Sequence, residues 1–280
     1  MSALKRLLLH VFLVALVIAW IVPTVGLLVT SFRPARDADF TGWWTVITNP
    51  GSARFTLDNY TAVLTRHGLA TAFRNSFLIA IPGTLIPTAV AALAAYAFAW
   101  MRFPGRYVLF LLTVALLVVP YQMTMIPILR IYNRIGLGGT FLGVWLAHAG
   151  YGLPFAIFLL RNFIAELPRD IMESAFIDGA SHLTAFLRLV IPLSVPALAS
   201  LIIFQFLWVW NDLLVALVYL GGSPRVAPLT VTVANMVGSY GQNWHILTAA
   251  AFVSMAVPLL VFFSLQRYFV RGILAGAVKG

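Results

Sequence analysis

The sequence predicts an all-α polytopic membrane protein with six transmembrane helices. Three observations carry that expectation. The 280-residue chain is 61% hydrophobic and only 9% charged, where a soluble domain carries about 25% charged residues. Its apolar residues fall in continuous runs that lack the alternation of a barrel strand. Aromatic residues make up 14% and include eight Trp, which suits ring belts at the two membrane–water boundaries.

The first span, Leu7–Thr30, follows Lys5 and Arg6. It is too long for a cleavable signal core and no small-x-small site ends it, so it reads as an uncleaved span. The second, Ser76–Met101, holds Pro82 and Pro87, which should kink it and oblige neighbouring helices to satisfy the carbonyls they free. Tyr107–Met125, Phe141–Leu160 and Val195–Leu220 follow, and Leu247–Leu265, with Pro258, is the sixth. Each meets or approaches the ~20 residues that cross the hydrocarbon core. Between them lie an outer loop, 31–75, an inner loop, 161–194, and a basic tail, 266–280. In the outer loop, Phe55-Thr56-Leu57-Asp58-Asn59-Tyr60 reads as the capped start of a short interfacial helix. Residues 1–280 read as one transmembrane domain, without the internal repeat of many secondary transporters.

The net charge of +10 is better explained by the positive-inside bias than by nucleic acid, because the basic residues lie between apolar runs. Lys5, Arg6, Arg102, Arg106, Arg161, Arg169, Arg188, Arg267, Arg271 and Lys279 share one side, and only Arg130, Arg134 and Arg225 occupy the short loops opposite. That places both termini in the cytoplasm. The absence of cysteine excludes disulfides, thiol catalysis and Cys-ligated metals. With five scattered histidines and no H-E-x-x-H pattern, no metal site is expected.

The inner loop is punctuated. Pro168 opens a short amphipathic helix running from Arg169 to Ile177, with Ile171, Met172, Ala175 and Phe176 packing down and Arg169 and Glu173 on another face. Gly179 permits a sharp reversal. A second short helix runs from Ser181 to Val190 and ends at Pro192. The stretch Glu173-Ser174-Ala175-x3-Gly179-x9-Leu189-x-Ile191-Pro192 resembles the E-A-A-x3-G-x9-I-x-L-P loop by which permease subunits of type I ABC importers grip their ATPase, with both gaps intact. An ordinary amphipathic linker is the bland alternative.

The resemblance covers nearly the whole chain. Asn75-Ser76, Ala95-Tyr96-Ala97-Phe98, Trp210-Asn211-Asp212, Ala227-Pro228-Leu229-Thr230-Val231 and the ending from Leu265 to Gly280 are similar to the carbohydrate-uptake, maltose-type branch. Phe204 to Asp212 more narrowly resembles α-glucoside permeases. The resemblance implies a non-catalytic subunit of the bacterial cytoplasmic (inner) membrane that imports a sugar, an oligosaccharide or α-glucoside. It also implies a second homologous permease subunit, an ATPase dimer that binds ATP and Mg, and an extracytoplasmic sugar-binding protein. In this family residues 173, 174, 175, 178, 179, 189, 191 and 192 would couple to the ATPase. Arg271, Gly276, Lys279 and Gly280 would reach into it, although the tail could equally just anchor the sixth span. No cofactor is expected in this chain, because Lys279 does not stand in a Walker A frame.

Asp212 is the one carboxylate inside an expected span and has to face protein or water. With Gln122, Trp208 and Asn211 it either lines the translocation path, where amides and a carboxylate meet sugar hydroxyls and Trp stacks on a sugar face, or it caps local backbone near the outer interface. His148 reads more readily as a packing residue than as a ligand. An ion-coupled secondary transporter using Asp212 and His148 is the rival from another class. Gly139-x3-Gly143 and Gly272-x3-Gly276 match the small-residue packing pattern at the edges of apolar runs.

Overall fold

The structure, a computed structural model, describes the backbone of residues 3–239 and 243–277, and side chains over 4–237 and 243–264. The described residues are helical, without strands. Among the described residues, four helices are long and apolar enough to cross a membrane, and two bent pairs bring the number of possible spans to six. The chain divides into two compact units, residues 1–71 with 232–256, and residues 72–231 with 257–280.

In the first unit, helix α1 (Ala3–Ser31) exposes apolar side chains along almost its whole length, as a helix surrounded by lipid requires. Short helices α2 (Ala35–Phe40), α3 (Thr45–Thr48) and α4 (Asp58–Thr65) follow. The expected interfacial helix is α4, whose first N–H, on Asp58, donates to Thr56 Oγ1 at 3.1 Å. Buried Asn59 closes this loop onto the end of α1 by donating to the carbonyls of Ser31 and Arg33, each at 2.8 Å. The buried Arg33 guanidinium donates to the Thr41 carbonyl at 2.9 Å and to the Thr41 and Thr45 hydroxyls.

The second unit is organised by α5 (Leu69–Trp100), which runs unbroken through Pro82 and Pro87. Each proline lacks an N–H and leaves the carbonyl four residues earlier without its helical partner. Those carbonyls belong to Leu78 and Gly83, and neighbouring helices supply donors to both. From α8 (Phe141–Ala165), Trp145 Nε1 donates to Leu78 O at 2.8 Å. From α12 (Val195–Trp210), buried Gln205 Nε2 donates to Gly83 O at 3.5 Å. Gly83 itself keeps α12 close, since a Cβ there would stand 3.2 Å from Val209 Cγ1.

Two expected spans are broken. The run Tyr107–Met125 is not one helix. It is α6 (Arg106–Ala115), a 3-10 turn over Leu116–Val118, and α7 (Tyr121–Arg134), bent by 101°. Pro120 explains the break, because its ring drives Val119 out of the helical region to ψ 116°. The run Val195–Leu220 is likewise α12 followed by α13 (Leu214–Leu220). Its interruption is at Asn211 and Asp212, whose side chains bond local backbone in competition with the helix. The last two helices are α14 (Leu229–Ser239) and α15 (Trp244–Ala277). Because α15 stays helical to Ala277, Arg271, Gly272 and Gly276 sit on helix backbone, beyond the expected end of the sixth span.

Replacing Gln205 with Leu leaves Gly83 O unpaired in an apolar setting, which costs about 1–3 kcal/mol. Gly152→Ala should act through the same contact, since a Cβ at 152 would stand 2.9 Å from Gln205 Oε1. Thermal unfolding of both variants in lipid nanodiscs is expected several degrees below the parent protein. Parent-like transitions in both would remove Gln205 from the account.

Candidate functional site

The inner loop folds as α9 (Arg169–Ile177), a reversal, α10 (His182–Ala185), a π turn over Phe186–Val190, and α11 (Ile191–Leu193). Met172 anchors α9. It is fully buried, in an apolar cluster with Leu160, Ile164, Ala185, Phe186 and Val190, on which Phe176, Leu189 and Ile191 also pack. Helix α9 ends in a Schellman cap. Gly179 N donates to Phe176 O at 3.1 Å, Ala180 N donates to Ala175 O at 2.9 Å, and Gly179 takes φ +82°. The three-residue gap between Ala175 and Gly179 is thus the span of one helix cap, and Ser181 then caps α10 by accepting from Thr184 N at 3.2 Å.

Two details of this loop differ from the sequence reading. Ile171 does not pack down but is exposed, because the short helix has room for only one fully buried anchor. The second helix also does not stop at Pro192. It continues through Leu193, so Pro192, whose missing N–H frees a carbonyl of the preceding turn, stands one residue before its end. The chain bends by 75° at Ser194 into α12.

The outer side of the loop carries Glu173, Ser174 and Asp178, all exposed, with Ala175 half-buried beside them and Pro192 exposed further along. Among these polar groups stand Ile177, which is 85% exposed, Leu183 and Leu187. Apolar side chains displayed on an otherwise polar membrane-surface loop mark a contact surface.

A second cluster gathers at the other end of α5. Asn75 Nδ2 donates to Arg225 O at 3.0 Å and Ala227 O at 3.1 Å, and Leu229 N donates to Ser76 Oγ at 2.9 Å. Thr230 Oγ1 donates to Asp212 O at 2.6 Å. The Asp212 carboxylate, 5% exposed, accepts from Val215 N at 3.3 Å and Ala216 N at 3.0 Å and so caps α13. His148 lies fully buried with Nε2 3.9 Å from Asp212 Oδ2, and neither ring nitrogen has a hydrogen-bond partner. The crevice around Ser76, His148, Trp210 and Asp212 has no room for a water molecule.

Beside this crevice the half-buried rings of Trp208, Tyr121 and Tyr151 adjoin one another. Tyr121 lies 6.2 Å from Trp208 and 5.1 Å from Tyr151 between ring centroids. Tyr151 OH shares a 2.6 Å hydrogen bond with Tyr219 OH. Gln122 and Asn211 are exposed, and Asn211 Nδ2 donates to Leu207 O at 2.8 Å. Of the residues grouped by sequence, Trp208, Asn211 and Asp212 are thus neighbours along the chain with different surroundings. Tyr121 and Tyr151 join them although nothing in the sequence singled them out. In the tail, Lys279 and Gly280 lie outside the described residues, as does the side chain of Arg271.

Comparisons with known proteins converge. Residues 88–275 match the family described as binding-protein-dependent transport system inner membrane component. The osmoprotective compounds uptake permease protein GgtD of Synechocystis sp. is 59% identical over 98% of this chain and 93% of its own length. The alpha-glucoside transport system permease protein AglG of Rhizobium meliloti is 58% identical over 81% of this chain, which spans 61% of that protein. Among solved structures, a chain of a bacterial ABC transporter that imports the acidic polysaccharide alginate superposes with a TM-score of 0.80 at 21% identity, covering 96% of this chain and 99% of its own.

Substituting Gly179 tests the cap directly. Its added Cβ would meet nothing within 4 Å, so the effect is backbone strain alone. An L-residue in this conformation costs about 1–2 kcal/mol, more when β-branched and less for Asn. Amide exchange at Ala180 is expected to accelerate roughly tenfold in Gly179→Val and clearly less in Gly179→Asn. Equal rates in the two variants would show that φ does not set the cap.

Proposed function

The chain belongs to the binding-protein-dependent transport system inner membrane component family, and from that premise we propose that it is a permease subunit of an ATP-driven sugar importer. The observation that carries the ATPase-coupling part of this reading is the loop from Arg169 to Pro192. Its Met172 anchor fixes it to the membrane helices, while Glu173, Ser174, Asp178, Ile177 and Leu183 remain free on the surface. A rigid loop with a mixed polar and apolar face suits docking to a soluble subunit that has to push on it.

In this reading two ATPase subunits bind ATP and Mg beneath the membrane, and a second, homologous permease subunit completes the pathway. A sugar-binding protein delivers cargo from outside, and the present chain does no bond chemistry. Glu173, Ser174, Ala175, Asp178, Gly179, Leu189, Ile191 and Pro192 form the coupling element. Leu189 and Ile191 act from beneath, as packing for the surface that docks. Arg271, Gly276, Lys279 and Gly280 extend the contact through the end of the chain. Both termini face the cytoplasm, following the distribution of Lys and Arg.

The cargo is a neutral sugar, an α-glucoside or short oligosaccharide. The names of two relatives, one an alpha-glucoside permease and one a permease for osmoprotective compounds, support this class. So does the chemistry beside the crevice: the Trp208 ring offers a stacking face, and the Gln122 and Asn211 amides can bond hydroxyls without a formal charge. Asp212 contributes by capping α13 and holding that surface in place. Family membership displaces the ion-coupled alternative.

The reading is tested by reconstituting the chain with its partner permease, ATPase and binding protein in proteoliposomes. Uptake of a labelled α-glucoside is expected to require ATP and to persist when the proton gradient is collapsed. Glu173→Ala should reduce ATPase co-purification and uptake tenfold or more, since truncating one partner of a buried charged contact costs about 2–5 kcal/mol. Gradient-driven uptake by this chain alone, or normal uptake by the Glu173 variant, would contradict it.

A further inference from the structure

Helix α5 joins the two clusters. Near its inner end Tyr96 is 4% exposed, and its hydroxyl lies 2.9 Å from His182 Nδ1 in the coupling loop. The imidazole is held on its other side by Phe176 in the last turn of α9, with ring centroids 5.1 Å apart. Tyr96 also packs on Phe186, at the start of the π turn, at 5.4 Å. His182 therefore touches both the helix that bears Glu173 and the longest span of this unit. Among the described residues, Tyr96 and His182 make the side-chain hydrogen bond that connects α5 to this loop. A single such bond with an exposed partner can be made and broken without unfolding either element.

Near its outer end the same helix presents Asn75 and Ser76, which hold the backbone of Arg225, Ala227 and Leu229. From Asn75 to Tyr96 is about 32 Å of helix at 1.5 Å per residue. Proline is where a long helix usually bends. Here both proline sites are tied to neighbours, through Trp145 and Gln205, so α5 is stiff where it would otherwise yield.

We propose that α5 is a connecting rod of the transport cycle. Tyr96 and His182 are positioning residues that form its inner joint, and Asn75 and Ser76 pass its displacement to the 225–229 segment at the other end. The proposal rests on the importer reading and adds to it the route by which movement of the coupling loop crosses the membrane.

The test uses the assembled transporter in nanodiscs, with Tyr96→Phe, His182→Ala, the double variant and His182→Gln. Two quantities are read: amide exchange of residues 225–231 with and without ATP, and sugar imported per ATP hydrolysed. In the parent complex ATP should alter exchange at 225–231. Tyr96→Phe and His182→Ala should each reduce that response by at least half and lower sugar per ATP at least twofold, the remainder passing through α8 and α12, which the loop joins directly. The double variant should be no worse than either, and His182→Gln, which keeps a hydrogen-bonding group, should recover at least half. A merely structural joint would change exchange within 176–190 alone and leave the ATP response at 225–231 intact, which overturns the proposal. A parent complex that imports sugar with no ATP response at 225–231 overturns the rod but not the importer reading. A parent complex that imports nothing overturns both.

Discussion

A carbonyl without a donor has no water to turn to in the hydrocarbon core, and the architecture of the second unit follows from meeting that requirement twice on one helix. Pro82 and Pro87 free the carbonyls of Leu78 and Gly83, and Trp145 and Gln205 answer them from α8 and α12. Satisfying α5 therefore requires two neighbours at fixed heights and in fixed rotation. The small residues around these contacts serve the same end. Gly83 lets Val209 approach α5, and Gly152 leaves the space that the Gln205 amide fills. A polar side chain in a very apolar helix is costly unless paired, so Gln205, only 2% exposed, is explained by the carbonyl it meets.

Around this framework the broken helices place the surfaces that act. The bend at Pro120 sets Tyr121 and Gln122 at the start of α7, and the break at Asn211 and Asp212 leaves Trp208 and Asn211 at the end of α12. Neither surface would exist on straight spans, whose middles would be continuous apolar rods. The bend at Ser194 turns the inner loop out of line with α12, so its exposed face is carried beside the membrane helices and anchored to them through Met172. The two surfaces thus arise from one device, a helix interrupted where proline or Asx residues disturb its hydrogen bonds.

Much of this was legible in the sequence because it depends on local chemistry. The apolar runs located the spans, and Gly179 located a reversal that the structure shows to be a helix cap. The two prolines announced free carbonyls. What the sequence could not supply was the identity of the donors. Trp145 and Gln205 lie far from α5 along the chain, and only packing selects them. The breaks at Pro120 and Asp212 were masked by unbroken hydrophobicity, because apolar composition reports residence in the bilayer and is blind to whether the ladder is continuous. Pro120, with Val119 before it, was the available signal. Asp212 offered two readings, and its carboxylate proved to be engaged by Val215 and Ala216. His182 drew no role from the sequence, and Tyr96 entered only within a family-like tetrapeptide, because an exposed histidine and a buried tyrosine acquire a joint meaning only when 86 residues of separation close to one hydrogen bond.

The central claim is that α5, α8 and α12 form one rigid block through the carbonyls of Leu78 and Gly83. The absence of native cysteine lets spin labels be placed at Leu85, Leu146 and Phe204, one on each helix and all exposed, without background. Pairwise distances measured by double electron–electron resonance in the assembled complex, nucleotide-free and ATP-trapped, decide the matter. All three distances should be unchanged between the states, even as the coupling loop moves. A shift in any pair approaching one helical turn, about 5.4 Å, would show that the helices slide past one another and that the shared carbonyls do not bind them into a block.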